Sequence, residues 1–103
     1  MKIRKAFVMS VNTGAEEEYE KRHNPIWPDL EKVLKDYGVS NYSIFLHAET
    51  RHLFGYAVIE SEEQRAFIAS TDICQKWWKH MGEVMPSNPD HSPFRAPLRD
   101  LYR

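Results

Sequence analysis

The chain has 103 residues, a formal net charge of -1, 42% hydrophobic and 28% charged residues. That is the composition of one globular domain spanning 1–103, and it lacks the basic stripe that drives binding to nucleic acid. Cys74 is the lone cysteine, which excludes an intramolecular disulfide and argues against a cysteine-based zinc site. The opening MKIRKAFVMSVN has no long apolar stretch of the signal-peptide kind, and no run is long enough to span a bilayer. A cytosolic protein without a membrane partner is expected.

Residues 3 to 11 alternate, with Ile3, Lys5, Phe7, Met9 and Val11 on one side, and this period of two predicts a first strand. Thr13-Gly14-Ala15-Glu16 fits a capping box with Thr13 as N-cap, predicting a helix through about Arg22. Asn24-Pro25-Ile26-Trp27-Pro28 must interrupt it, because each proline lacks an amide donor and disfavours helical geometry in the preceding residue. A second helical stretch, Asp29 to Tyr37, places Leu30, Val33, Leu34 and Tyr37 on one side and stops at Gly38.

Tyr42 to Leu46 and Leu53 to Ile59 read as strands joined by a polar turn around residues 48–51. Ser61 to Gln64 is another capping box and predicts a helix through Ala69. Asp72 is the expected cap of a further helix carrying Ile73, Trp77, Met81 and Val84 on one face. Four prolines between Met85 and Pro97 predict irregular chain there, and Leu98 to Arg103 is expected as a short final strand.

The order β-α-β-β-α-β predicts a ferredoxin-like α+β sandwich with an antiparallel sheet. Its helices cover one sheet face, yet both faces carry large apolar groups: Phe7 and Met9 against Val8, and Tyr42, Ile44 and Leu46 against Phe45. A second copy of the chain is the simplest cover for the open face.

Few residues suggest chemistry. Tyr19 and His23 are four apart and would share a helix face. His23 stands at a helix end, where carbonyls carry partial negative charge and would favour an imidazolium able to donate a proton. The plainer reading is a histidine that only caps carbonyls. Trp77 and Trp78 are adjacent, so they point about 100° apart on a helix. One could pack inward while the other lines a pocket and stacks on the C–H face of a sugar, or both could pack at a dimer contact. Tyr42 could aim its hydroxyl at a ligand or be an ordinary strand tyrosine. The histidines His47, His52, His80 and His91 show no ligand spacing, and no glycine-rich phosphate loop is present, so neither a metal nor a nucleotide cofactor is expected.

Ile3 to Met9, Tyr19 to Pro28 (YEKRHNPIWP), Ser70 to Met81 (STDICQKWWKHM) and Met85 to Asp90 closely resemble the L-rhamnose mutarotase family, in order and at compatible spacing. The segment after Pro93, FRAPLRDLYR, follows the pattern less closely. The resemblance implies a homodimer of ferredoxin-like subunits forming a dimeric α/β barrel, without metal or organic cofactor. It implies interconversion of the anomers of L-rhamnose. Position by position, His23 matches the family's proton donor, and Tyr19, Tyr42, Trp77 and Trp78 match its sugar-contacting residues. Competing readings are another cofactor-free barrel enzyme of the monooxygenase type, since one scaffold hosts many activities, and a non-catalytic sugar-binding module. An RNA-recognition domain would need basic charge and an aromatic-basic motif that this chain lacks.

Overall fold

The alternating N-terminal segment forms strand β1, Ile3–Ser10, in a computed structural model that describes residues 2–102. Helix α1 (Glu16–Arg22) follows, then α2 (Pro28–Asp36), β2 (Ser40–His47), β3 (His52–Ile59), α3 (Glu62–Ala69), α4 (Asp72–Met81) and β4 (Ala96–Leu98). The sheet order is β2-β3-β1-β4, with every neighbouring pair antiparallel. This is the expected ferredoxin-like arrangement, with α1 and α2 together filling the first crossover and α3 and α4 the second.

Several local expectations are corrected. Thr13 does not cap α1: Gly14 takes a left-handed φ of 82°, the Ala15 N–H donates to the Asn12 carbonyl, and the helix begins with no side-chain cap. The glycine lets the chain turn before the helix starts, so Thr13 falls in the turn. The expected break separates α1 from α2 over residues 23–27, and only its end differs: Pro28 already occupies the first turn of α2, where its missing N–H costs nothing. Thr71, not Asp72, caps α4, its hydroxyl accepting from the Cys74 N–H at 3.3 Å. Val84 lies past the end of that helix, although it is buried. The capping box at Ser61 forms as expected, with the Ser61 hydroxyl accepting from the Gln64 N–H at 3.1 Å.

The final strand is also displaced. β4 runs Ala96–Leu98 instead of Leu98 to Arg103; residues 99–102 form no strand, and Arg103 lies outside the described residues. Pro97 is accommodated because β4 is an edge strand, pairing only with β1, so its missing donor breaks no second ladder.

The core lies between the inner sheet face and the helices. Phe7, Met9, Val11 and Leu53 meet Tyr19, Leu30, Ile68, Cys74, Trp77 and Met81 there. On the other face the register lines up Ala96, Val8, Phe54 and Phe45 in one row across four strands. Phe45 is 67% exposed and Phe54 and Leu98 are also exposed, so this face carries an apolar band open to water. Among the described residues no helix is long and apolar enough to cross a membrane.

Candidate active site

His23 ends α1, and the turn after it fixes the ring. Its N–H donates to the Glu20 carbonyl at 3.1 Å, and the Asn24 side-chain amide donates to that same carbonyl at 2.8 Å. The Asn24–Pro25 peptide is cis. Next to His23, Arg22 ties this helix end to α4. Its guanidinium donates to the His80 carbonyl at 2.6 Å and pairs with Glu18 and Glu83 at 2.7 and 2.9 Å.

The His23 Nδ1 sits 2.9 Å from the Tyr19 carbonyl oxygen. A carbonyl can only accept, so Nδ1 carries a proton and the neutral ring keeps its lone pair on Nε2. The imidazole stacks on the Tyr19 ring at 4.6 Å and meets the edge of Trp77 at 5.2 Å and 90°. Trp77 in turn meets Trp27 at 5.1 Å, and Trp27 packs on His80. Burial in this aromatic nest pushes the His23 pKa below the ordinary imidazole value, more than the Tyr19 carbonyl raises it. The helix-end effect expected from sequence is present, since the Tyr19 carbonyl accepts from the ring and favours the cation, but desolvation outweighs it.

A cavity of about 880 Å³ opens between the helices and the inner sheet face, lined by Tyr19, His23, Tyr42, Trp77, Trp78 and Arg95 among others. Its size is within the range of small-molecule sites. All five residues singled out from sequence therefore meet in one place. Tyr19 is 7% exposed, and burial pushes its hydroxyl far above the usual phenol range. None of the hydrogen bonds among the described residues involves that hydroxyl, and no buried polar side-chain atom lacks a partner, so the hydroxyl reaches the cavity.

Tyr42 lies within the irregularity in β2, where the register slips between Ser40 and Ser43 and Asn41 has φ 52°. Its ring meets Phe7 edge-on at 6.3 Å. It lines the cavity and is 45% exposed, and desolvation pushes its hydroxyl pKa up. Both tyrosines are neutral hydrogen-bonding groups at ordinary pH. Trp77 belongs to the core and Trp78 is half-buried against it, and both contribute to the cavity wall.

Sequence reasoning missed three neighbours. Trp27 and His80 buttress Trp77 from α2 and α4; the W-P pair at the α2 start was the available signal for Trp27. Arg95 arrives from the proline-rich segment, which offered no periodicity to place it. Among the described residues, no group of three or more His, Cys, Asp or Glu is placed to hold a metal ion.

Comparison with known proteins places the chain in a family. A family model described as L-rhamnose mutarotase matches residues 4–103. An L-rhamnose mutarotase from Opitutus terrae is 66% identical over 100 residues, covering 97% of this chain and 96% of that protein. One from Citrobacter koseri is 59% identical over the same shares. The crystal structure of an L-rhamnose mutarotase from Formosa agariphila superimposes with a TM-score of 0.89 at 40% identity, covering 98% of this chain and 97% of that one. A structure from Bordetella bronchiseptica, provisionally named an antibiotic biosynthesis monooxygenase, reaches a TM-score of 0.72 over 98% of both chains at 14% identity and shares the fold alone. The chain belongs to the L-rhamnose mutarotase family.

Proposed function

We infer that this protein interconverts the α and β anomers of L-rhamnopyranose, with His23 as the proton carrier. The observation that carries this reading is an imidazole of fixed tautomer, neutral at rest, whose Nε2 is left as its free acceptor in an aromatic cavity. The names of close relatives, at 66% and 59% identity over nearly the whole chain, support the substrate.

The chemistry needs one proton moved between two oxygens bonded to the same carbon. In ring opening, Nε2 accepts the proton of the anomeric hydroxyl. The C1–O1 bond becomes a carbonyl, and the C1–O5 bond breaks. The imidazolium then acts as general acid and delivers its proton to the ring oxygen. After rotation about C1–C2, the freed hydroxyl attacks the other face of the carbonyl, giving its proton to Nε2, which passes it to O1. The histidine ends neutral, as it began. A general acid–base group of this kind typically contributes about 10²–10⁴-fold, which suits a reaction that already proceeds slowly in water.

Tyr19 and Tyr42 would bond the sugar's oxygens, and Trp77 and Trp78 would cover its C–H face. The exposed row of Ala96, Val8, Phe54 and Phe45 supports a homodimer, a second copy covering the open sheet face as in a dimeric α/β barrel. The reading is of one cofactor-free, cytosolic domain.

Saturation-transfer proton NMR between the two anomeric signals of L-rhamnose tests the activity. Transfer that grows with protein concentration is expected. Transfer at the water rate from folded protein would refute it, and sugar binding without transfer would identify a binding module instead.

A further inference from the structure

Arg95 lines the cavity and takes no part in the chemistry above. It precedes β4, and its guanidinium carbon lies 5.0 Å from the centroid of the Phe7 ring. Phe7 is itself held fast: it is 7% exposed, Tyr42 meets it edge-on, and Gly55 beneath it has no room even for a Cβ. The guanidinium thus rests on a fixed aromatic platform on the wall that also carries Tyr42. Stacking on an aromatic face is a favoured arrangement for arginine, and it leaves the N–H groups at the edge of the plane free to donate.

Those donors have no acceptor of their own. Arg4, Arg22 and Arg65 each pair with a carboxylate. Among the described residues, Arg95 has neither a carboxylate partner nor a hydrogen bond, and the surrounding protein pulls its pKa below the usual guanidinium value. Arg95 is itself exposed, so its donors are held by water and are available to a ligand that enters the cavity.

The cavity supplies mostly aromatic and aliphatic surface. A pyranose buried there brings hydroxyls at C1 to C4, all of which lose water on entry. The planar fork of a guanidinium presents two parallel N–H donors, a spacing that suits two oxygens on adjacent carbons. We propose that Arg95 is a further sugar-binding residue of this site, donating its paired N–H groups to two vicinal hydroxyl oxygens of the pyranose from the Phe7–Tyr42 wall. This rests on the inferred sugar substrate, but not on His23 being the proton carrier.

The test is equilibrium binding of L-rhamnose to wild type, Arg95→Met and Arg95→Lys by titration calorimetry, with NMR exchange and sedimentation on the same samples. Arg95→Met keeps the stem on Phe7 and removes the fork, and a loss of affinity of tenfold or more is expected. Arg95→Lys keeps the charge without the fork and is expected to fall between. Both should remain folded with the oligomeric state of wild type, and exchange at saturating sugar should fall less than affinity does. Wild-type affinity in Arg95→Met overturns the proposal. So does a loss of binding that tracks loss of the oligomer, which would mean that Arg95 pairs with a partner subunit's carboxylate. Wild-type protein that binds without catalysing exchange would refute the mutarotase reading, while the affinities still decide Arg95. Wild-type protein that does not bind the sugar would overturn both.

Discussion

Gly55→Ala is the substitution whose consequence follows most directly from the packing. Gly55 lies in the central strand β3, paired with Phe7 on one side and Ile44 on the other. A Cβ added there overlaps the Phe7 ring, and Phe7 is buried in the core with Tyr42 and Arg95 on its exposed flanks. The ring cannot yield without pushing those neighbours, so the substitution overpacks, at a cost of about 1–3 kcal/mol. Replacing glycine within a strand recovers about 0.5–1 kcal/mol of chain entropy, leaving a net loss centred on roughly 1 kcal/mol and at most about 2.5 kcal/mol. For a domain of this size each kcal/mol lowers Tm by about 4–8 °C. Circular-dichroism melts would measure it, repeated in a Phe7→Leu background, where the shorter side chain leaves space. The Gly55→Ala penalty should shrink there, and sugar affinity should drop in the single variant as Tyr42 and Arg95 shift. An unchanged Tm, or a penalty of equal size in both backgrounds, would refute the reasoning.

Two further outcomes are expected. Because burial holds the His23 pKa below the ordinary imidazole value and the neutral ring starts the reaction, protein-catalysed exchange should be flat above about pH 6.5 and fall as pH drops through the lowered pKa; an NMR pH–rate profile that rises toward acid, after subtraction of the buffer rate, would contradict this. Arg22→Ala removes the tie from α1 to the His80 carbonyl and to Glu83, so urea unfolding should show a loss on the order of 1 kcal/mol, with exchange slowed because His23 is less firmly placed.

Much of this architecture was legible from residue order. The alternation in β1 and the capping box at Ser61 are local signals whose physics acts within a few residues, and they hold in the structure. The misplacements came where local and tertiary effects compete. At Thr13 the capping pattern was present, but Gly14 took the turn first. At β4 the prolines argued for irregular chain, and only pairing with β1 at the sheet edge makes Pro97 acceptable. The site follows the same division. His23, Tyr19, Tyr42, Trp77 and Trp78 were identifiable from motif resemblance, and the cavity unites them. The charge state of His23 was not legible, because it depends on rings contributed by α4 and on a nest closed by α2. Arg95 was invisible for the same reason: its meaning comes from Phe7, nearly ninety positions earlier in the chain.

The central claim is that His23 moves the proton, and one comparison tests it most directly. Saturation transfer between the anomeric signals of L-rhamnose is measured with wild type and His23→Ala at equal concentration, both shown to be folded and to bind the sugar. The account predicts that catalysed transfer in the variant collapses toward the water rate, a fall on the order of 10²-fold or more, with binding retained. Transfer at the wild-type rate from a folded, sugar-binding His23→Ala protein would contradict it and remove His23 from the mechanism.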